Sequence, residues 1–202
     1  AYLDKGISRI EKSIAKLASK DVKKGKLTED QAKDWATEVR GRITGSINRE
    51  DLADCDLVVE AIVEDLDAKK ELFGALGKLC KAETIFASNT SSFPVAEMAV
   101  ASGRPERFVG LHFFNPVQLM RLVEVVRTDA TDEDVYAAAR AFGEACGKTP
   151  VSCKDTPGFV VNRLLVPYMV QAINMLDRGD ASAADIDAAM QLGCGHPMGP
   201  LT

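Results

Sequence analysis

The sequence predicts an α/β domain followed by a segment made only of helices, and three observations support this. Between residues 56 and 154, short apolar stretches alternate with amphipathic stretches of helical length, which is typical of a largely parallel sheet. Beyond about residue 154, no stretch has the composition of a strand. The chain has 202 residues, 46% of them hydrophobic and 27% charged, which suffices for a substantial core.

A helical hairpin is predicted ahead of the sheet, at about residues 2–40. Apolar side chains recur at intervals of three and four from Leu3 to Leu17, which indicates an amphipathic helix. After a turn, Thr28 to Gln31 reads as a capping box that begins a second helix running to about Val39. Residues 43–47 are predicted to form a short strand.

The rest of the chain alternates between strands and helices. Strands are predicted at 56–63, 84–88, 108–114, 122–126 and 151–153, and helices at 66–79, 95–101, 132–146, 159–176 and 183–192. Only about seven residues join the third strand to the fourth, too few for a parallel crossover, so these two strands should pair antiparallel. Polar residues follow the first three strands, at the carboxyl edge where α/β sheets bind ligands.

The antiparallel pair brings His112 and Glu124 side by side at the strand ends. A histidine backed by a carboxylate is a tuned general base, because the carboxylate fixes the imidazole tautomer and stabilises the imidazolium that forms. The residues alone leave a second interpretation open, in which His112 is a structural residue and Glu124 faces solvent.

The distribution of charge limits the classes of partner. Residues 1–42 hold 11 Lys and Arg against 7 Asp and Glu, whereas the whole chain carries a net charge of −5. This basic segment either meets an anionic group or forms a solvated helix face. Its basic residues alternate with acidic ones and lack aromatic stacking partners, which argues against nucleic acid. No apolar run approaches the roughly 20 residues that cross a bilayer, so no membrane partner is expected.

The cysteines indicate a reducing environment. Five are present, scattered and without a C-x-x-C pair: Cys55, Cys80, Cys146, Cys153 and Cys194. This pattern favours neither a disulfide framework nor a metal site, and it predicts an intracellular location.

Six stretches, in order, resemble the L-3-hydroxyacyl-CoA dehydrogenase family. They are residues 56–61, 86–92, 110–116, 154–159, 161–163 and 193–200, of which HFFNP and DTPGF-x-x-NR are the most specific. The resemblance implies a Rossmann-type NAD-binding domain over residues 1–154, with the hairpin inserted in it. It also implies that residues 155–202 begin an all-α domain that closes over the acyl group and forms a homodimer.

The activity implied by the resemblance is the oxidation of a 3-hydroxyacyl-CoA thioester to the 3-oxoacyl-CoA, with hydride passing to NAD. His112 would take the hydroxyl proton and Glu124 would orient it, while Ser91 and Asn162 would hold the reacting oxygen and the thioester. The residues implied to lie near NAD are Ala61, Glu64, Lys69, Asn89, Ser91 and Asn115, and those implied to meet coenzyme A are Ser13, Lys20, Ser91 and Asn162. No metal is implied. A solvated Lys69 and a plain surface Ser13 are the alternatives.

The sequence departs from the family pattern at both ends. It contains no G-x-G-x-x-G turn, the part that binds the dinucleotide pyrophosphate. We therefore expect that the N-terminal part of the NAD-binding domain and most of the helical domain lie outside residues 1–202. We also expect that this chain alone is poorly stable and binds NAD weakly.

Two alternatives stay open at this point. The first is that the chain is the dehydrogenase portion of a multifunctional β-oxidation protein, and the second is that it is a non-catalytic relative of the crystallin kind. The family leaves the compartment open between the bacterial cytoplasm and the mitochondrial matrix.

Overall fold

The structure is a computed structural model that describes residues 2–202. The chain forms two compact units that divide between Asp51 and Leu52. The first unit contains the predicted hairpin, helices α1 (Tyr2–Lys23) and α2 (Glu29–Gly41), and a short 3-10 helix spans Arg49–Leu52. Helix α2 begins at the predicted capping box, in which the Thr28 hydroxyl accepts a hydrogen bond from the Gln31 amide at 3.2 Å.

The strand predicted at residues 43–47 is wrong, because these residues have no regular structure. The Ile43 amide donates to the Arg40 carbonyl and the Arg40 guanidinium donates to the Ile43 carbonyl, so a local turn satisfies this backbone. The Asn48 amide donates to the Ser46 hydroxyl at 2.9 Å, which adds a second local turn. The Ile47 side chain is 83% exposed, so the apolar pattern here does not mark a buried face.

The second unit is built on a five-stranded sheet with the strands in chain order. The strands are β1 (Leu57–Glu60), β2 (Ile85–Ser88), β3 (Phe108–Phe113), β4 (Leu122–Arg127) and β5 (Thr149–Lys154). Strands β1, β2 and β3 are parallel, and β5 is parallel to β4. The predicted antiparallel pairing of β3 with β4 is confirmed, and it places His112 opposite Glu124 in the register.

Helices cover both faces of the sheet because neighbouring residues of a strand point to opposite sides. These helices are α3 (Leu66–Leu79), α4 (Val95–Ala101) and α5 (Glu133–Ala145), with a 3-10 helix at Pro105–Arg107. On one face, the Phe108 ring packs against Phe73 of α3 with centroids 4.6 Å apart. On the other face, Val109 and Leu111 pack near Ala139 of α5. The predicted α/β class is confirmed.

Two helices follow the sheet, α6 (Val161–Asp177) and α7 (Ala183–Cys194). Within the described residues no strand comes after β5, as predicted. The Asp185 amide donates to the Ser182 hydroxyl at the start of α7, and Gly195, with φ of +72°, ends it. Because residues 52–202 form one compact unit, the domain boundary at residues 154–155 stays a prediction.

Candidate active site

The residues that follow β1, β2 and β3 line one cavity of about 230 Å³ at the carboxyl edge of the sheet. Its lining is Ala61, Ile62, Glu64, Lys69, Asn89, Ser91, His112, Phe113 and Asn115. All six residues predicted to lie near NAD are among them. Typical ligand pockets measure roughly 300–1,000 Å³, so this cavity fits one end of a dinucleotide.

His112 and Glu124 form the predicted pair. The imidazole Nδ1 lies 2.7 Å from Glu124 Oε2, and both side chains are buried. An ionised carboxylate only accepts hydrogen bonds, so Nδ1 carries the proton and Nε2 keeps its lone pair. Among residues 2–202, Nε2 has no hydrogen-bond partner. The interpretation in which Glu124 faces solvent is wrong, since this side chain is completely buried.

The second oxygen of Glu124 binds the start of α6. Glu124 Oε1 accepts hydrogen bonds from the backbone amides of Val160 at 3.0 Å and Val161 at 2.8 Å. The first amides of a helix have no partner within it, and the helix dipole favours a negative charge there. Glu124 therefore joins β4, the histidine of β3 and the first turn of α6. The sequence reasoning did not find these bonds.

Lys69 is buried between two carboxylates beneath the cavity. Its Nζ lies 2.6 Å from Glu60 Oε1 and 3.1 Å from Glu64 Oε2, and the residue is 1% exposed. The alternative of a solvated Lys69 is therefore wrong. The Ser88 hydroxyl donates to Glu60 Oε2 at 2.6 Å, and the Ile62 amide donates to Glu60 Oε1.

Glu60 is a buried charge that the sequence reasoning missed. A single acidic residue at the end of an apolar strand was the available signal, because a buried carboxylate needs a partner. Nothing in the sequence identified Lys69, nine residues later, as that partner.

Glu64 accepts hydrogen bonds from the Thr90 hydroxyl at 2.6 Å and from the Ser91 amide at 2.9 Å. Burial of the Glu64 carboxyl opposes its ionisation, but these two bonds and the Lys69 ammonium outweigh that effect and lower its pKa. Glu64 is therefore an ionised acceptor at the rim of the cavity, and its bonds fix the turn that follows β2.

Two amide side chains hold that turn against its neighbours. Asn89 Oδ1 accepts a hydrogen bond from the Phe113 amide of β3 at 2.8 Å. Asn162 Nδ2, on the first turn of α6, donates to the Ser91 carbonyl at 3.1 Å. The residues predicted to hold the substrate, Ser91 and Asn162, are thus directly bonded to each other.

Ser13 and Lys20 belong to the first unit. Ser13 is half-buried on α1 and Lys20 is exposed in its last turn. Neither side chain has a hydrogen-bond partner among residues 2–202, so the structure leaves both the coenzyme A prediction and the surface alternative open.

Other site classes have little support in the described part of the chain. Residues 2–202 contain no cluster of three His, Cys, Asp or Glu side chains placed to hold a metal ion. Across the same residues, no helix combines the length and the apolar character that a membrane crossing requires. Burial raises the pKa of the Cys153 thiol to about 11, helped by the charges of Glu124 and Asp155, so Cys153 is an inert thiol.

The sheet topology, the cavity at its carboxyl edge and the buried histidine–glutamate pair define a dinucleotide-binding domain of the dehydrogenase class. Residues 2–156 match the family model described as "3-hydroxyacyl-CoA dehydrogenase, NAD binding domain", and residues 158–202 match "3-hydroxyacyl-CoA dehydrogenase, C-terminal domain". The chain belongs to the 3-hydroxyacyl-CoA dehydrogenase family. The predictions of this family, of a Rossmann-type fold and of NAD as the cofactor are confirmed.

The chain is similar to a probable 3-hydroxybutyryl-CoA dehydrogenase of Deinococcus radiodurans, with 50% identity over 100% of this chain and 69% of the relative. It is 59% identical to the human mitochondrial hydroxyacyl-coenzyme A dehydrogenase over 72% of this chain and 46% of that protein. A crystal structure of (S)-3-hydroxybutyryl-CoA dehydrogenase from Ralstonia eutropha superposes with a TM-score of 0.88 at 40% identity, over 98% of this chain and 68% of that one. The chain therefore spans about half to two thirds of the length of these relatives.

Proposed function

We propose that this protein interconverts L-3-hydroxyacyl-CoA and 3-oxoacyl-CoA by hydride transfer to and from NAD, with His112 as the general base and acid. The observation that carries the proposal is the bond of 2.7 Å between His112 Nδ1 and Glu124, which leaves Nε2 free beside the cavity. Hydride departure from the 3-carbon requires the hydroxyl to lose its proton. An imidazole suits that exchange, because it is the type of side chain that most often acts as a general base and acid near neutral pH.

Four residues of the site then have a defined part in the oxidation. His112 Nε2 takes the proton of the 3-hydroxyl, and Glu124 stabilises the imidazolium that results. Bound NAD supplies the hydride acceptor. In the reverse direction the imidazolium returns its proton to the oxygen of the 3-oxo group. The hydroxyl of Ser91 and the amide of Asn162 supply oriented hydrogen bonds to the reacting oxygen and the thioester, and the bond between these two residues supports that pairing.

The nicotinamide end of NAD is proposed to occupy the cavity at the carboxyl edge. Glu64, as an ionised acceptor at the rim, suits the ribose hydroxyls, with Asn89 and Asn115 beside it. Ala61 lies at the end of β1 beneath them, and its small side chain leaves room for the cofactor. Lys69 has its ammonium bound by two carboxylates, so we assign it contact with NAD mainly through Glu64.

Coenzyme A is proposed to meet α1, where Ser13 and Lys20 would contact its phosphate-bearing part. Ammonium groups pair with phosphate, and α1 is rich in exposed lysines. A homodimer through the helical segment is proposed as well. That proposal is supported by the apolar side chains that α6 exposes, which include Leu164, Val166 and Ile173.

We propose the bacterial cytoplasm or the mitochondrial matrix as the compartment. All five cysteines are free, which suits a reducing environment. The relatives named above are two bacterial proteins and a mitochondrial one.

The first test uses the protein extended at both ends to the length of its relatives, mixes it with NADH and acetoacetyl-CoA, and follows the loss of NADH absorbance. We expect turnover that His112→Gln lowers by about 10²–10⁴-fold, because the proton donor is lost. His196→Gln is the matched control, since it changes the other histidine of the chain. Unchanged turnover in the His112 variant would remove the catalytic assignment, and no NADH loss in any variant would favour the non-catalytic alternative.

A further inference from the structure

Phe159 has an unusual backbone conformation immediately before α6. Its φ is +50°, in the left-handed region that a bulky L-residue rarely enters, and its side chain is 4% exposed. The preceding Gly158, with φ of +80°, is also left-handed. Such a conformation persists only where the surrounding structure holds it, and it is found preferentially at functional sites.

The turn that contains Phe159 sets the direction of the next two amides. The Phe159 amide donates to the Thr156 carbonyl at 2.8 Å, so it is already satisfied within the turn. The amides of Val160 and Val161 come next, and both donate to Oε1 of Glu124. If Phe159 had a negative φ, the chain would leave the turn in a different direction and these two amides would move off the carboxylate.

The ring of Phe159 contacts the other partner of Glu124. Its centroid lies 5.7 Å from that of the His112 imidazole, and the Phe114 ring lies 4.4 Å from the same imidazole. The distance from Phe159 falls in the range of favourable aromatic packing. Phe159 thus touches the histidine through its side chain and the glutamate through the backbone that follows it.

We propose that Phe159 is a positioning residue for the His112–Glu124 pair: its left-handed backbone directs two amides at the carboxylate, and its ring packs against the imidazole. The catalytic meaning of this role rests on the function proposed above. The arrangement itself is a property of the unliganded chain, so it is tested without NAD or substrate. Failure of that test is therefore distinguishable from failure of the proposed function.

The experiment compares Phe159→Gly with Phe159→Ala by NMR of the ¹⁵N-labelled chain. Both variants lose the ring, but only alanine opposes a positive φ. Two quantities are measured: the tautomer of His112, from its imidazole ¹⁵N shifts, and the exchange rates of the Val160 and Val161 amides. The amide of Val125 in β4 serves as the reference for overall stability, and His196 is the reference for the imidazole spectra.

We expect the glycine variant to keep the Nδ1-protonated tautomer and the protection of both amides relative to Val125. In the alanine variant, the Val160 and Val161 amides should exchange about tenfold faster, relative to Val125, than they do in the glycine variant. The His112 imidazole should then become a mixture of both tautomers. Equal exchange in the two variants would overturn the proposal, whether both behave like the wild type or both lose protection. If the alanine variant does not fold, loss of the tautomer and of amide protection in the glycine variant alone would still overturn it.

Discussion

Two buried pairs of ionisable side chains lie at the same edge of the sheet, and they differ in whether one polar atom is left without a hydrogen bond. In the pair of His112 and Glu124, every polar atom is bonded except Nε2 of the imidazole, which lies beside the cavity. In the pair of Lys69 and Glu60, the ammonium is shared with a second carboxylate and both oxygens of Glu60 are occupied. The first pair is arranged for proton exchange, whereas the second holds its surroundings in place.

The comparison teaches that burial alone does not identify a catalytic charge. Lys69 is less exposed than His112, yet the proposed reaction has the histidine, and not the lysine, exchange a proton with the substrate. The distinguishing feature is one free lone pair on an imidazole, the type of side chain that most readily exchanges a proton near neutral pH. The Lys69 ammonium is instead bound by two carboxylates.

The largest effect is expected for Glu124→Gln, which tests the pair of His112 and Glu124. A glutamine cannot accept from the imidazole and from both amides without turning its own NH₂ group toward a donor. If the NH₂ group faces His112, the imidazole must carry its proton on Nε2 and can no longer take one from substrate. We expect the turnover number to fall by about 10²–10⁴-fold. A folded variant whose turnover number stays within threefold of the wild-type value would contradict the conclusion that this pair is arranged for proton exchange.

The second-largest effect is a loss of stability in Lys69→Met, which tests the pair of Lys69 and Glu60. This change leaves the Glu60 carboxylate buried without its cation, which should cost about 3–5 kcal/mol of unfolding free energy. The matched control is Lys70→Met, because Lys70 pairs with Glu97 at 2.6 Å on the exposed side of the same helix. That pair should contribute much less to stability, because solvent screens exposed charges. Urea unfolding curves measure both values, and equal losses would contradict a special role for burial.

The double variant Glu60→Gln with Lys69→Met sharpens the same point. Removing both members of a buried pair leaves no uncompensated charge between them, so the double variant should be more stable than Lys69→Met alone by about 1–3 kcal/mol. Additive losses in the same unfolding assay would mean that the two residues act independently of each other.

The smallest expected effect is the pH dependence of the stability that Glu64 contributes. Its pKa in the folded protein lies below the ordinary value, so the ionised carboxylate stabilises the fold when the pH is above the pKa of the unfolded chain. This contribution is lost as the pH falls from the pKa of the unfolded chain, about 4.3, through the lower pKa of the folded state. The difference in melting temperature between the wild type and Glu64→Gln should therefore shrink between pH 7 and pH 3. A difference that is constant over this range would contradict the assignment.

Much of the fold was predictable from the sequence because the deciding interactions are short in range. The capping box at Thr28 is confirmed, as is the antiparallel return from β3 to β4, which depends only on the length of the loop between them. The error at residues 43–47 has the opposite cause. Their apolar pattern suited a strand, but local turns formed instead, in which Arg40 donates a hydrogen bond to Ile43 and Ser46 accepts one from Asn48.

The site was predictable in part for the same reason. The pairing of His112 with Glu124 follows from neighbouring strands. The amides of Val160 and Val161, by contrast, lie 36 and 37 residues beyond the carboxylate that they bind, and no local pattern connects them. The partner of Lys69 was equally hidden, because its position depends on how α3 packs against the end of β1.

The hydrogen bonds to the two oxygens of Glu124 also differ in when they can form during folding. The imidazole is 12 residues away along the chain, within a hairpin, whereas the amides become available only after β5 and the turn at Phe159 have formed. Closing longer loops costs more entropy, and contacts between distant residues form more slowly. During folding, the histidine should therefore meet its carboxylate before that carboxylate is anchored, so the base becomes rigid only when the last helices are in place.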